Sequence, residues 1–236
     1  MPFALLDTVP DRALAIYAHP DDADVSCGGT LSLWAAEGCE VAVVICAAGD
    51  KGSSDPGTEP GELVARRQAE VRASAAILGY GELRFLGHPD GELDNDKVLR
   101  SELAGVIREV RPDALVCPDP MAVFFGEHYY NHRDHRQVGW AALDAASAAG
   151  APHYFPEHRP AHPVPVVYMS GTLEPNLFVD VTSTVTRKAE ALASHRSQLG
   201  DSGEWLRSAV LERAAEAGRQ VGVSYAESFR RVHPST

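Results

Sequence analysis

The run Ala13-Leu14-Ala15-Ile16-Tyr17-Ala18-His19-Pro20-Asp21-Asp22 passes from six apolar residues straight into histidine, proline and two aspartates. Six residues is strand length, and the lack of polar alternation marks a strand buried on both faces of a parallel sheet. Pro20 suits the first turn of a helix, where its missing N–H costs nothing. A buried strand that feeds a helix through a polar turn is a βα unit, and in such units ligands bind outside the carboxyl end of the strand.

Outward from this unit the same alternation repeats. Strands are expected at Val41–Cys46, Leu83–Leu86, Ala114–Cys117 and Val164–Met169, and helices at Gly29–Glu37, Glu62–Leu78, Lys97–Val110 and Asp134–Ala149. Arg111-Pro112 closes the third helix, because proline cannot continue it. The pattern predicts an α/β, Rossmann-like three-layer fold with a mainly parallel sheet flanked by helices. No linker interrupts the 236 residues, so one domain is expected over 1–236, with a helical part at 182–233 packed on it. Two connections are long and rich in turn residues, Gly49–Gly61 and Gly150–Pro165. The first follows the second strand and is expected as a rim over the ligand crevice.

Composition excludes several classes. A net charge of −12, with no basic run longer than a pair, argues against a nucleic-acid partner. The amino terminus lacks a basic and apolar leader, and no apolar stretch is long enough to span a bilayer, so a cytoplasmic protein without a membrane partner is expected. The four cysteines have no CxxC spacing and read as buried free thiols. His153, His158 and His162 read as solvated, and Trp34, Trp140 and Trp205 as packing residues.

Two clusters carry chemistry. His19 and Asp22 stand three apart, so a helical turn brings both onto one face, while Asp21 is rotated about 100° away and cannot play the same part. The second cluster is Tyr130-Asn131-His132-Arg133-Asp134-His135, again with histidines three apart, just before a helix. Two histidines and one carboxylate with one position open is how catalytic zinc is commonly held. That choice leaves one histidine over for catalysis.

Ala18–Asp22 (AHPDD) and His132–His135 (HRDH), with softer matches at Arg67–Glu70, Leu86–Leu93, His195–Gln198 and Tyr225–Phe229, resemble the LmbE-like (PIG-L) zinc-dependent de-N-acetylases over nearly the whole chain. The resemblance implies that His19, Asp22 and His135 hold one Zn2+ per chain and that Asp21 is the general base. It implies that His132 stabilises the oxyanion or protonates the leaving amine, with Asp134 orienting its ring. Tyr130 matches a tyrosine that closes over substrate in some members, and Arg67 and Asp90 match positions that bind sugar hydroxyls. The chain departs from the usual HPDH at Arg133, and Asp24, not residue 23, is the acidic residue nearest after AHPDD.

These readings converge on a zinc hydrolase that deacetylates an N-acetylated amino sugar, a small N-acetylglucosaminide-like molecule. Which of Asp21 and His132 protonates the amine is left open, as is assembly into a homo-oligomer. The alternatives are a zinc amidase acting on another small amide, such as a thiol conjugate or cyclic imide, and a non-catalytic metal- or sugar-binding module.

Overall fold

The structure is a computed structural model that describes residues 4–6, 8–158, 160–199 and 204–234. The chain begins with β1 (Ala4–Leu5), β2 (Arg12–Tyr17), α1 (Asp22–Ala36), β3 (Glu40–Ala47), α2 (Pro60–Leu78), β4 (Glu82–His88), α3 (Lys97–Val110) and β5 (Ala114–Pro118). A small hairpin, β6 (Phe124–Phe125) and β7 (Tyr129–Tyr130), precedes α4 (Arg133–Gly150) and β8 (Val166–Ser170). It continues with β9 (Leu177–Asp180), α5 (Val185–Leu192), α6 (Arg196–Leu199), α7 (Glu204–Val221) and β10 (Ala226–Val232).

Eight strands form one sheet in the order β1-β9-β10-β8-β5-β2-β3-β4. The run from β8 to β4 is parallel, and β10 lies antiparallel between β8 and β9. Residues 13–18 have no exposed surface. Leu14 and Ile16 enter the core under α3 and α4, while Ala13, Ala15 and Tyr17 enter the core under α1 and α2. That is the three-layer arrangement expected from an apolar run without alternation. The chain leaves β2 towards β3 on one side, and β5 enters on the other. The carboxyl ends of β2 and β5 therefore flank the topological switch point, where an open parallel sheet presents a crevice.

Some expectations change. The helix expected from Gly29 begins at Asp22, because α1 kinks at Cys27 (φ −144°, ψ 21°) and resumes through Gly28-Gly29. The kink frees the backbone N–H groups of Gly29 and Thr30, which donate to Glu227 at 3.0 and 2.7 Å. A Cβ on Gly29 would lie 3.0 Å from that carboxylate. Glu227 comes from β10, a segment expected as helical, and is paired with buried Lys188 at 2.5 Å. The segment is a strand in which Ala226, Glu227 and Phe229 are buried, held between β8 and β9 as antiparallel partners. Trp34 is buried as expected, but Trp140 and Trp205 are 40% and 65% exposed. His162 is buried and lies 2.9 Å from the Pro112 carbonyl. The 150–165 loop docks away from the switch point, where Arg108 donates to five carbonyls of α4 and the loop. The four cysteines are free and buried.

Candidate active site

His19 follows β2 and Asp22 opens α1, with Asp21 between them at φ 141°, ψ −24°. A non-glycine residue there is strained, and such strain collects at functional sites. The Asp22 carboxylate accepts from the His19 backbone N–H at 2.7 Å, which ties the turn. On the other side of the switch point, His132 caps α4 and its Nδ1 accepts from the Asp134 N–H at 3.2 Å. His135 lies within the first turn of α4 and so faces back across the crevice. Arg133 stands at the first helical position, where the usual proline is favoured only because its missing N–H has no partner. Arg133 instead reaches the Leu93 carbonyl and Asp94.

His19 Nδ1, the Asp22 carboxylate and His135 Nε2 form a closed triangle. Its edges are 3.2 Å between the histidines, 3.3 Å from His19 to Asp22 Oδ2 and 3.1 Å from His135 to Asp22 Oδ1. Four ligands about 2.0–2.1 Å from zinc stand about 3.3–3.4 Å apart in a tetrahedron, so the edges fit one. The tautomers fit as well. Asn131 Nδ2 donates to the Ala122 carbonyl at 2.9 Å, which leaves Oδ1 as the atom 2.9 Å from His135 Nδ1. His135 must donate there, so its Nε2 lone pair faces the triangle. His19 turns Nε2 towards Asp90 Oδ1 (3.1 Å) and Asp134 Oδ2 (3.4 Å), off the line of a good hydrogen bond but within ion-pair reach. Its Nδ1 is then the lone pair on the inside. Carboxylate or carbonyl partners on the outer nitrogen are the usual supports of a metal-bound histidine.

The site demands positive charge. Burial alone would keep His19 neutral, yet Asp22, Asp134 and Asp90 push its ring up to about 12. A divalent cation inside the triangle answers that demand. His132 also brings a ring nitrogen within 4.8 Å of those of His19 and His135, and Asp90 and Asp134 form a second group with His19. The second group is already served, since Asp134 Oδ2 accepts from Gly91 N–H at 2.7 Å and Arg67 lies 4.0 Å from Asp90. His132 has Nδ1 engaged, which places its proton on Nε2. Burial, then the charges of His19 and His135, hold its pKa below 6.5. Asp134 therefore does not orient His132 with its carboxylate. Its side chain faces His19, and only its backbone N–H fixes the His132 tautomer.

Asp21 sits beside the triangle. Burial and the neighbouring Asp22 charge raise its carboxyl from 3.8 to about 6, against the pull of Arg67. Arg67, 3% exposed, lies 3.6 Å from Asp21 and donates to the carbonyls of Gly49 and Pro20. Gly49 takes φ +72°, and a Cβ there would come within 2.6 Å of the guanidinium.

An open pocket of about 340 Å3 gathers His19, Asp21, Arg67, Asp90, His132 and His135. Lys51 and Gly52 form part of its rim, so the start of the 49–61 loop stands where the sequence placed it. Tyr130 does not line it. It is 74% exposed, and its neighbour Tyr129 points the other way along the strand and lines the pocket. Sequence reasoning passed over Lys51, Asn131 and Gln198. Gln198 donates to the Gly52 carbonyl at 3.1 Å, and Ser197 donates to Glu70, so two softer motifs meet at the rim. His195 is buried 2.6 Å from Asp24, which also accepts from Tyr80 and Ser74. His88 pairs with Glu102, and His128 is exposed.

The family model described as GlcNAc-PI de-N-acetylase (PIG-L) matches residues 14–146. A diacetylchitobiose deacetylase from Thermococcus kodakarensis is 32% identical over 94% of this chain and 83% of its own length. The solved N,N'-diacetylchitobiose deacetylase of Pyrococcus horikoshii superposes with a TM-score of 0.88 at 29% identity, over 95% of this chain and 84% of that one. A 4-carboxy-2-hydroxymuconate hydratase from Pseudomonas putida superposes with a TM-score of 0.78 at 26% identity, over 96% and 98% of the two chains.

Proposed function

We propose, since this chain belongs to the PIG-L family of de-N-acetylases, that it removes the acetyl group from an N-acetylated amino sugar. The same scaffold carries a hydratase, so the fold does not choose the reaction. The observation that carries the reading is the triangle of His19, Asp22 and His135 with both histidine lone pairs turned inward, directly beside the strained, half-buried carboxylate of Asp21.

The residues fit one zinc ion, held by His19 Nδ1, Asp22 and His135 Nε2. Zinc supplies Lewis acidity to the developing oxyanion and acidifies water near neutral pH. Asp21 accepts the proton of the attacking water, and Arg67 holds that carboxylate in position from beneath. His132 offers its Nε2–H to the carbonyl oxygen as negative charge grows there, or to the departing nitrogen. Because an amine is a poor leaving group it must be protonated, and Asp21, having taken the water's proton, returns it there, while neutral His132 serves as a hydrogen-bond donor. Asp90 and Asp134 hold His19, and Asp90 and Arg67 keep polar atoms within reach of sugar hydroxyls. Tyr129 takes the covering part read onto Tyr130. Buried free thiols fit a reducing, cytoplasmic setting. No helix among the described residues is long and apolar enough to cross a membrane.

The test is release of free amine from N-acetylglucosamine and N,N'-diacetylchitobiose by zinc-loaded protein. N-acetyl amino acids and 4-carboxy-2-hydroxymuconate serve as controls. Turnover of a sugar, lost on chelation and restored by Zn2+, is expected. Turnover of the amino acids alone would refute the sugar, and turnover of the muconate alone would refute the amidase.

A further inference from the structure

Two of the three corners of the triangle, Asp22 and His135, also wall a second cavity of about 330 Å3. His19, Asp21, Arg67 and His132 do not line it, and it shares only His135 and Tyr129 with the pocket described above. Its sides are Tyr17, Val25, Pro118 and Phe125. It shares Val25, Ser26, Phe125, Gly171 and Arg213 with a further cavity of about 220 Å3 that reaches Val210, Ala214 and Ala217 on α7. The two therefore run on from one another, from the metal-ligand triangle to the C-terminal helix.

The polar atoms on the inner wall already have partners. The Tyr17 hydroxyl lies 2.7 Å from Ser170 Oγ and 3.1 Å from Cys27 Sγ. Both ends of the Asn131 amide are engaged, with His135 and the Ala122 carbonyl. The rest of the wall is mainly carbon, from Tyr17, Val25, Pro118 and Phe125, with the side chains of Ser26, Tyr129 and Arg213 at its edges, and in the adjoining cavity Lys188 and Glu227 are paired with each other. The pocket on the other side of the triangle is the reverse, with Lys51, Gln198, Asp21 and His132 around it. An amide held at the triangle has a polar half, the amino sugar, and a carbon half, the acyl group. Sugar hydroxyls lose hydrogen bonds along the Tyr17, Val25, Pro118 and Phe125 walls, whereas an alkyl chain gains by burial there.

Size separates an acetyl group from something longer. A methyl is about the size of a water molecule, which takes about 30 Å3 of the liquid. The first cavity is roughly ten times that. We infer that this site accepts and hydrolyses N-acyl amino sugars whose acyl chain is longer than acetyl, with the chain laid past Val25 and Phe125 towards α7. The inference rests on the amino-sugar amidase reading above. The reaction balances as ordinary amide hydrolysis: the carbonyl carbon gains the oxygen of water, the C–N bond breaks, and the amine leaves with a proton, giving a fatty carboxylate and the free amino sugar.

The experiment follows free glucosamine from N-acetyl-, N-butyryl- and N-hexanoylglucosamine with the zinc-loaded full chain. Burial of each methylene should raise kcat/KM by about two- to fourfold. A flat or falling series, with N-acetylglucosamine still hydrolysed, overturns the acyl passage and leaves the deacetylase standing. No release from any of the three overturns the amino-sugar reading, and the passage with it. Ser26→Phe, which fills the shared segment, should lower the hexanoyl-to-acetyl ratio of kcat/KM at least about tenfold. That ratio is independent of how much of the variant folds, and an unchanged ratio places the chain elsewhere and refutes the route.

Discussion

Asn131 touches neither substrate nor metal in the proposed site, yet metal affinity should depend on it. Its amide is oriented by donation to the Ala122 carbonyl, and its oxygen then compels His135 to carry its proton on Nδ1. Asn131→Leu keeps the volume and removes that compulsion. The imidazole is free to rotate or to protonate Nε2, the atom that faces Asp22 and His19. Loss of such an outer hydrogen bond typically weakens metal binding about 10- to 100-fold, or about 1.4–2.7 kcal/mol at 1.36 kcal/mol per decade. Asn131→Asp keeps an acceptor for His135 and should bind zinc more tightly than the leucine variant. The assay is competition for Zn2+ against a chromophoric chelator, with circular dichroism to verify the fold. At saturating zinc the leucine variant should retain kcat within about tenfold, because the ring still reaches the same place. A zinc Kd within about twofold of wild type would refute the tautomer argument.

Asp21→Asn should keep its zinc while kcat drops by about 100- to 10,000-fold, and a variant within tenfold of wild type in steady-state turnover would remove Asp21 as the base. Chelation should abolish activity and Zn2+ restore it, whereas His19→Ala, Asp22→Ala and His135→Ala should each fail to regain a full equivalent by elemental analysis. Lys188→Met strands Glu227 inside the protein with the N–H groups of Gly29 and Thr30 and the Thr30 hydroxyl as its remaining donors, and urea unfolding should register a loss of about 3–5 kcal/mol. Adding Glu227→Gln to that variant should recover part of the loss, and an additive pair would mean that the two do not interact. Burial draws His195 towards neutrality, but Asp24 overrides it and the ring titrates above 6.5. The stability from this pair is therefore complete below 6.5 and lost as pH rises through the higher folded value. Asp24→Asn should cost more at about pH 6 than at about pH 9, and a cost that does not vary with pH refutes the linkage.

Periodicity made the first two thirds of the fold legible. Unalternated apolar runs at 13–18, 41–46 and 114–117 can be satisfied only by burial on both faces, and each is a central strand. Residue chemistry likewise marked His19, Asp22, His132 and His135, because metal-binding side chains beside a βα turn have few other reasons to cluster. The C-terminal strands escaped. β10 carries Glu227, Arg230 and Arg231, and it takes a carboxylate-binding kink in α1, some two hundred residues away, together with Lys188 of α5 to make Glu227 an interior residue. Tertiary structure also decided which side chain serves which. Asp134 adjoins His132 in the chain but faces His19, Tyr129 rather than Tyr130 lines the pocket, and Asn131 sets the His135 tautomer. Sequence determines which donors and acceptors exist and on which element they stand. Their partners depend on where β2, β4 and β5 bring the loops together, and that is set by packing across the sheet.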